Sequence, residues 1–258
     1  MKRPIMAGNW KMNMTPAESV VLSQSISNRY KGSWDKVDVV LFPPSIDLRS
    51  VFTVLDFDKS LIEVGAQNVH WEPSGAYTGE ISIPMLKDVG CTWCIVGHSE
   101  RRSMFGESDM DVNRKVIALT DAGMNAIVCV GESLALRESG DATQFVCDQV
   151  KAALAGLDAQ EAAFVSIAYE PVWAIGTGQT ATPEQAQQMA SAIRSTVADL
   201  VGQEAADAMR ILYGGSMKPA NAELFLACPD IDGGLIGGAA LKVADFVELV
   251  NQAVASAR

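Results

Sequence analysis

The sequence predicts an α/β fold, a closed, all-parallel (β/α)8 barrel built as a single domain over residues 1–258. Three observations lead there. Short apolar runs recur along the whole chain, stretches with helical signals separate them, and polar or glycine-rich segments follow the runs. A length of 258 residues alone allows one large domain or two small ones. No linker rich in Pro, Gly or Ser divides the chain, and no low-complexity tract or charge block interrupts it, so one domain is expected.

The runs are Ile5 to Ala7, Val37 to Phe42, Leu61 to Ala66, Cys94 to Val96, Ala126 to Val130, Phe164 to Tyr169, Ile211 to Tyr213 and Leu235 to Ile236. They are near-continuous rather than alternating, the pattern of parallel strands covered on both faces. After the first run, Thr15-Pro16-Ala17-Glu18 forms a capping box with proline at the first helical position. The second is followed by Ser45 to Asp58, which reads as a helix broken near Asp56. Ser108 to Asp111 marks a weaker start beyond the fourth run, and Thr182-Pro183-Glu184-Gln185 repeats the capping device beyond the sixth. The terminal stretch Val243 to Ala255 places Val243, Phe246, Val247 and Val250 on one helical face.

Composition narrows the partners. Hydrophobic residues make up 48% and charged residues 20%, with mean hydropathy at +0.14, which suits a buried core and not a disordered chain. Lys and Arg number 20 against 31 Asp and Glu, a net charge of −11 that disfavours nucleic acid and anionic membranes as partners. No membrane-length apolar stretch or signal segment is read, so a cytoplasmic protein is expected. The cysteines Cys91, Cys94, Cys129, Cys147 and Cys228 are odd in number, which suits reduced thiols. Cys91 and Cys94 make a C-x-x-C that a redox pair or half a metal site would also use, but no second Cys/His pair is near. Neither metal nor cofactor is expected.

Barrel enzymes build their sites from the loops after the strands. Here those loops hold Gly8-Asn9-Trp10-Lys11, Gly97-His98-Ser99-Glu100, Glu170-Pro171, Gly214-Gly215-Ser216 and Gly237-Gly238. Glu170 ends an apolar strand, and Pro171 biases it toward extended backbone, so it is a candidate general base; a strand-end ion pair is the competing reading. The residues after it, Val172 to Gly178, have an apolar centre between small, hinge-capable residues, as a lid over a pocket would. His98 is one of 2 histidines, and either a hydrogen-bonded structural residue or an electrophile. A short helix from Ser99 would aim its amides at the imidazole and favour the neutral ring. Lys11 offers a cation for an oxyanion or a phosphate, or is a solvated surface lysine. The glycine pairs after the last two strands suit a backbone phosphate clamp, although ordinary turns use them too. No nucleotide-binding glycine motif is present. A base, a neutral electrophile, a cation and a phosphate clamp fit proton abstraction beside a carbonyl in a small phosphorylated sugar.

Seven segments, Gly8-Asn9-Trp10-Lys11-Met12-Asn13, Gly65-Ala66-Gln67-Asn68, Gly75-Ala76-Tyr77-Thr78-Gly79-Glu80, Gly97-His98-Ser99-Glu100-Arg101-Arg102, Ala168 to Gly178, Tyr213-Gly214-Gly215-Ser216 and Gly237-Gly238-Ala239, closely resemble the triosephosphate isomerase family, in order and at family spacing. The resemblance implies the TIM-barrel architecture and an aldose-ketose isomerase that interconverts dihydroxyacetone phosphate and D-glyceraldehyde 3-phosphate through an enediolate, in glycolysis and gluconeogenesis, without cofactor or metal. It implies Glu170 as the base, His98 as the neutral electrophile and Lys11 as the cation, with Asn9 as a polar helper. That family is itself the standing example of such a carboxylate and imidazole pair, so the roles are inherited from the resemblance. Gly176, Ser216, Gly237 and Gly238 match its phosphate clamp, and residues 171–181 its lid. Glu100 resembles the residue that positions Lys11, Trp173 and Glu132 a partnership that changes as the lid moves, and Ile175 and Leu235 the apolar wall of the carboxylate. Cys129 and Tyr213 resemble supporting residues behind the site. Residues 67–82, with Tyr77 and Thr78 at the tip, resemble the loop that docks beside the site of a second subunit, which implies a homodimer. Gln179, where the family usually has Lys, and Ala240, where it often has Ser, depart from the pattern. The competing functions are another phosphate-binding barrel isomerase or aldolase, and a non-catalytic binding protein on the same scaffold.

Overall fold

A computed structural model describes residues 2–174 and 180–256. Strands β1 (Ile5–Asn9), β2 (Asp38–Phe42), β3 (Glu63–Ala66), β4 (Trp93–Val96), β5 (Asn125–Val130), β6 (Val165–Tyr169), β7 (Ile211–Tyr213) and β8 (Gly233–Ile236) pair in that order, all parallel, and β8 returns to β1. Each of the eight apolar runs contains or overlaps one strand, and the barrel expected from them is the observed fold. Helices α1 (Pro16–Arg29), α2 (Leu48–Phe57), α3 (Ile83–Val89), α4 (Ser99–Phe105), α5 (Asp109–Asp121), α6 (Leu134–Ser139), α7 (Ala142–Leu154), α8 (Ala159–Ala162), α9 (Pro183–Val201), α10 (Gln203–Ala208), α11 (Ala222–Leu226) and α12 (Val243–Ser256) fill the connections.

The two-residue period of a strand divides its side chains between two cores. Ile5, Ala7, Val40, Phe42, Trp93, Ile95, Ile127, Cys129, Ala168, Leu212 and Leu235 fill the barrel interior. Their neighbours Met6, Val39, Leu41, Cys94, Val96, Val128 and Ile167 point outward and pack under the helices. Alternation therefore exists, but both faces are apolar. The same parity carries Asn9 inward beyond Ala7 and Glu170 inward beyond Ala168, so the top layer of the barrel is polar where the layers below it are not.

The helix starts read from sequence are present. Glu18 accepts from the Thr15 backbone N–H and hydroxyl, each at 2.8 Å, and this holds its carboxyl below the usual range. Thr182 and Gln185 form the reciprocal pair at 3.0 and 3.2 Å, and Ser108 and Asp111 another. The expected break near Asp56 is not there. A 3-10 turn, Ser45–Asp47, precedes α2, and the helix runs unbroken through Asp56 to Phe57. Pro43 and Pro44 delay its start, and burial of Leu48, Val51 and Leu55 on one face carries it past Asp56.

Closure of the barrel depends on Gly233. Its φ is +137°, and a Cβ there would stand 2.0 Å from the backbone oxygen of Ile5, so only glycine lets β8 lie against β1.

Candidate active site

The site is assembled at the C-terminal end of the strands. Asn9, the last residue of β1, is buried, and its Oδ1 accepts from the Lys11 backbone N–H at 3.0 Å. Lys11 has φ +53°, a left-handed conformation that costs a residue with a β-carbon roughly 1–2 kcal/mol. Its Nζ pairs with Glu100 Oε1 at 2.6 Å.

His98 caps α4. Its Nδ1 accepts from the Glu100 backbone N–H at 3.2 Å, so in the neutral ring the proton sits on Nε2. Nε2 faces Glu170 Oε1 at 3.1 Å, and the other carboxylate oxygen accepts from the Ser99 backbone N–H at 2.9 Å. Glu170 itself extends the barrel ladder one step, its N–H donating to Val130 O at 2.8 Å. Its side chain is only 3% exposed, so these donors stand where solvent would otherwise be. Arg102 fastens this rim by donating to Gly97 O at 2.7 Å and Cys129 O at 3.2 Å.

Asn9, Lys11, His98, Glu170, Ser216, Leu235, Gly237 and Gly238 line one cavity of about 460 Å³, together with Ser99, Glu100 and Val172. The clamp and apolar-wall residues Gly176 and Ile175, like Gln179, lie outside the described residues. Ala240 is fully buried in a 3-10 turn, packed toward β1 beneath the cavity. Cys129 is buried against Glu170; burial and the neighbouring carboxylate push its thiol well up, so it stays protonated. Cys91, pushed up to about 12, and Cys94, also raised, are buried free thiols: the C-x-x-C is core. Among the described residues no group of three or more His, Cys, Asp or Glu is placed to hold a metal ion.

Behind the cavity Glu132, fully buried, gathers three donors on Oε1: Trp173 Nε1 at 2.7 Å, Tyr169 Oη at 3.0 Å and Arg137 at 3.1 Å. Trp173 and Glu132 are therefore hydrogen-bonded to each other. Burial and the Glu132 charge raise the Tyr169 hydroxyl. Arg137, not foreseen, also covers the Trp173 ring at 4.7 Å; its place five residues after Glu132, on the helix that follows, was the available signal. The amides at the start of α4 were expected at the imidazole, where Glu100 N–H is found; the Ser99 N–H turning to Glu170 was not foreseen, because that contact crosses from β4 to β6. Tyr213 stacks on Phe225 at 4.1 Å, and burial pushes its hydroxyl up to about 12. Tyr77 and Thr78 lie away from this cavity, on a loop whose residues 73–80 are all exposed.

A carboxylate and an imidazole meeting in one pocket, beside a lysine and glycine turns at the strand ends, place the chain among the enzymes of the (β/α)8-barrel class. The family model for triosephosphate isomerase matches residues 4–253, and the chain belongs to that family. It is similar to the triosephosphate isomerase of Thermoanaerobacter pseudethanolicus, 49% identical over 251 residues, 97% of this chain and 100% of the relative. The triosephosphate isomerase of Herpetosiphon aurantiacus is 50% identical over 97% of this chain and 99% of its own length. That of Streptococcus pyogenes serotype M5 is 46% identical over 97% and 98%.

Proposed function

We propose that this chain interconverts dihydroxyacetone phosphate and D-glyceraldehyde 3-phosphate by proton transfer through an enediolate. The approach of His98 Nε2 to Glu170 at 3.1 Å, on the floor of the cavity that Lys11 borders, carries the reading. Glu170 takes a proton from the carbon beside the substrate carbonyl and returns one to the neighbouring carbon. The Nε2–H of His98 and the Lys11 ammonium meet the charge that develops on oxygen, with Asn9 helping. Ser99 N–H and His98 Nε2 each face one Glu170 oxygen, so the carboxylate must leave at least one of them to take a proton from carbon. The substrate oxygen then takes over the imidazole donor. Glu100 steadies Lys11 through their ion pair. Gly176, Ser216, Gly237 and Gly238 hold the phosphate through short polar groups. That division leaves Lys11 for the reacting end.

Residues 171–181 act as a lid that excludes water and retains the enediolate, with Trp173 and Glu132 exchanging partners as it moves and Ile175 and Leu235 walling the carboxylate. A Schiff-base aldolase is disfavoured because Lys11, the lysine at the cavity, is engaged by Glu100 at 2.6 Å. Purified protein should isomerise glyceraldehyde 3-phosphate without added cofactor, and absence of turnover in a coupled assay would overturn the assignment.

The working form is a homodimer in the cytoplasm. Met12 and Phe105, 95% and 70% exposed, flank a second cavity of about 460 Å³ that shares Lys11, His98 and Glu100 with the first. Tyr77 projects from the 67–82 loop, 43% exposed, with its ring tilted against His70 at 4.2 Å. A partner's Tyr77 and Thr78 would cover that apolar rim and bring Thr78 to Asn9 and Lys11. Removing the loop tip around Thr78 is expected to yield monomers of low activity; sedimentation of an unchanged dimer would count against this interface.

A further inference from the structure

The left-handed backbone of Lys11 needs something to hold it, and two side chains share that work. Asn9 accepts the Lys11 N–H at 3.0 Å. From the other side, Gln67 Nε2 donates to the Lys11 carbonyl at 2.8 Å and to the Phe42 carbonyl, also at 2.8 Å. The Phe42 carbonyl in turn accepts from Trp10 N–H at 3.1 Å. Both hydrogens of one amide thus bind the turn after β1 to the end of β2, and the peptide groups on either side of the Lys11 α-carbon are fixed. A lysine side chain has four rotatable bonds, but where they start is set by φ and ψ; in the ordinary right-handed or extended regions the stem would leave this turn in another direction.

We propose that Gln67 is a positioning residue: it locks Lys11 in the conformation that delivers its ammonium to the reacting oxygen. The inference rests on the role proposed above for Lys11. Gln67 touches neither the cavity floor nor the phosphate turns, since it acts on a carbonyl and not on substrate. It also begins the 67–82 loop, so the chain segment proposed to dock on a partner is tied at its root to the lysine of its own subunit.

The test is a double-mutant cycle on the full-length protein with Gln67→Leu, Lys11→Ala and the pair. Gln67→Leu keeps the side-chain volume and deletes both donors, while Gln67→Glu keeps shape and polarity, and is read in its place if the leucine variant does not fold. Displacing the ammonium by about 1 Å is expected to lower kcat/KM by about 10²-fold. The same change in the Lys11→Ala background should have no further effect. Equilibrium binding of 2-phosphoglycolate, whose carboxylate would meet the Lys11 ammonium while its phosphate sits on the glycine turns, is measured on all four proteins and should follow the same pattern where turnover falls below detection. Unchanged kcat/KM in the Gln67 variants would overturn the proposal, and so would equal losses with and without the lysine, because a merely structural residue weakens both backgrounds alike. Normal activity of Lys11→Ala alone would instead overturn the role given to Lys11.

Discussion

Glu170→Gln is expected to lower turnover by roughly 10²–10⁴-fold, the usual worth of a positioned base, without unfolding the barrel. The substitution is nearly isosteric, so the buried volume at the end of β6 does not change. It replaces the carboxylate by an amide, which is far too weak a base to take a proton from carbon. It also leaves one amide oxygen where two carboxylate oxygens now take donors, from Ser99 N–H at 2.9 Å and from His98 Nε2 at 3.1 Å. One of those donors then faces an amide NH2, a cost of about 1–3 kcal/mol for a buried polar group left unpaired. The loss should fall on kcat rather than on substrate affinity, because an electrostatic clash between carboxylate and anionic substrate is relieved at the same time. Exchange of the substrate's carbon-bound hydrogen with heavy-water solvent should slow in parallel, since the same carboxylate carries the proton between carbons. Near-normal turnover, or exchange that outlives the loss of turnover, would sink the assignment of Glu170 as the base.

What could be read from the residues alone has a physical pattern. The eight strands were legible because each is apolar on both faces, so a run of Val, Ile, Leu and Cys survives any error in its exact ends. β8 was the least complete, since Gly233 and Gly234 pair with Ile5 and Met6 through backbone alone and leave no apolar signature. The capping boxes at Thr15, Ser108 and Thr182 were legible because a cap is a contact within four residues. Glu170 and His98 could be singled out for a similar reason: each stands at the junction of a strand and a polar turn. Their meeting was not visible, since it depends on the barrel bringing β4 and β6 to one rim. The Gln67 amide reaching a carbonyl 56 residues away, and the Arg137 guanidinium covering Trp173, are tertiary contacts of the same kind. Helix α2 failed for the opposite reason. Asp56 was weighed as a local breaker, and the burial of Leu55 beside it outweighed a local preference worth a few tenths of a kcal/mol.

Gly131→Ala is expected to damage stability and catalysis together, through one clash. Gly131 follows β5 just where Glu170 follows β6, and the two backbones cross so closely that an added Cβ would sit 1.8 Å from the Glu170 carbonyl oxygen and 2.8 Å from its carbon. Nothing on the other side can give easily. The Gly131 N–H is held by Gln149 Oε1 at 2.8 Å, and the next peptide carries the buried Glu132 that binds Trp173, Tyr169 and Arg137. Relief must therefore come from the Glu170 backbone, whose N–H donates to Val130 O at 2.8 Å and whose neighbour Tyr169 accepts from Gly214 N–H at 2.7 Å. Moving it by an ångström or more strains both ladder bonds and withdraws the carboxylate from its position, at a cost of about 1–3 kcal/mol in stability and about 10²-fold or more in kcat/KM. The denaturation midpoint and the rate should fall together, in contrast to Glu170→Gln, where the rate falls far more than the midpoint. If Gly131→Ala kept full activity, the crossing could not be what places the base, and the close approach of β5 and β6 would serve closure of the barrel alone.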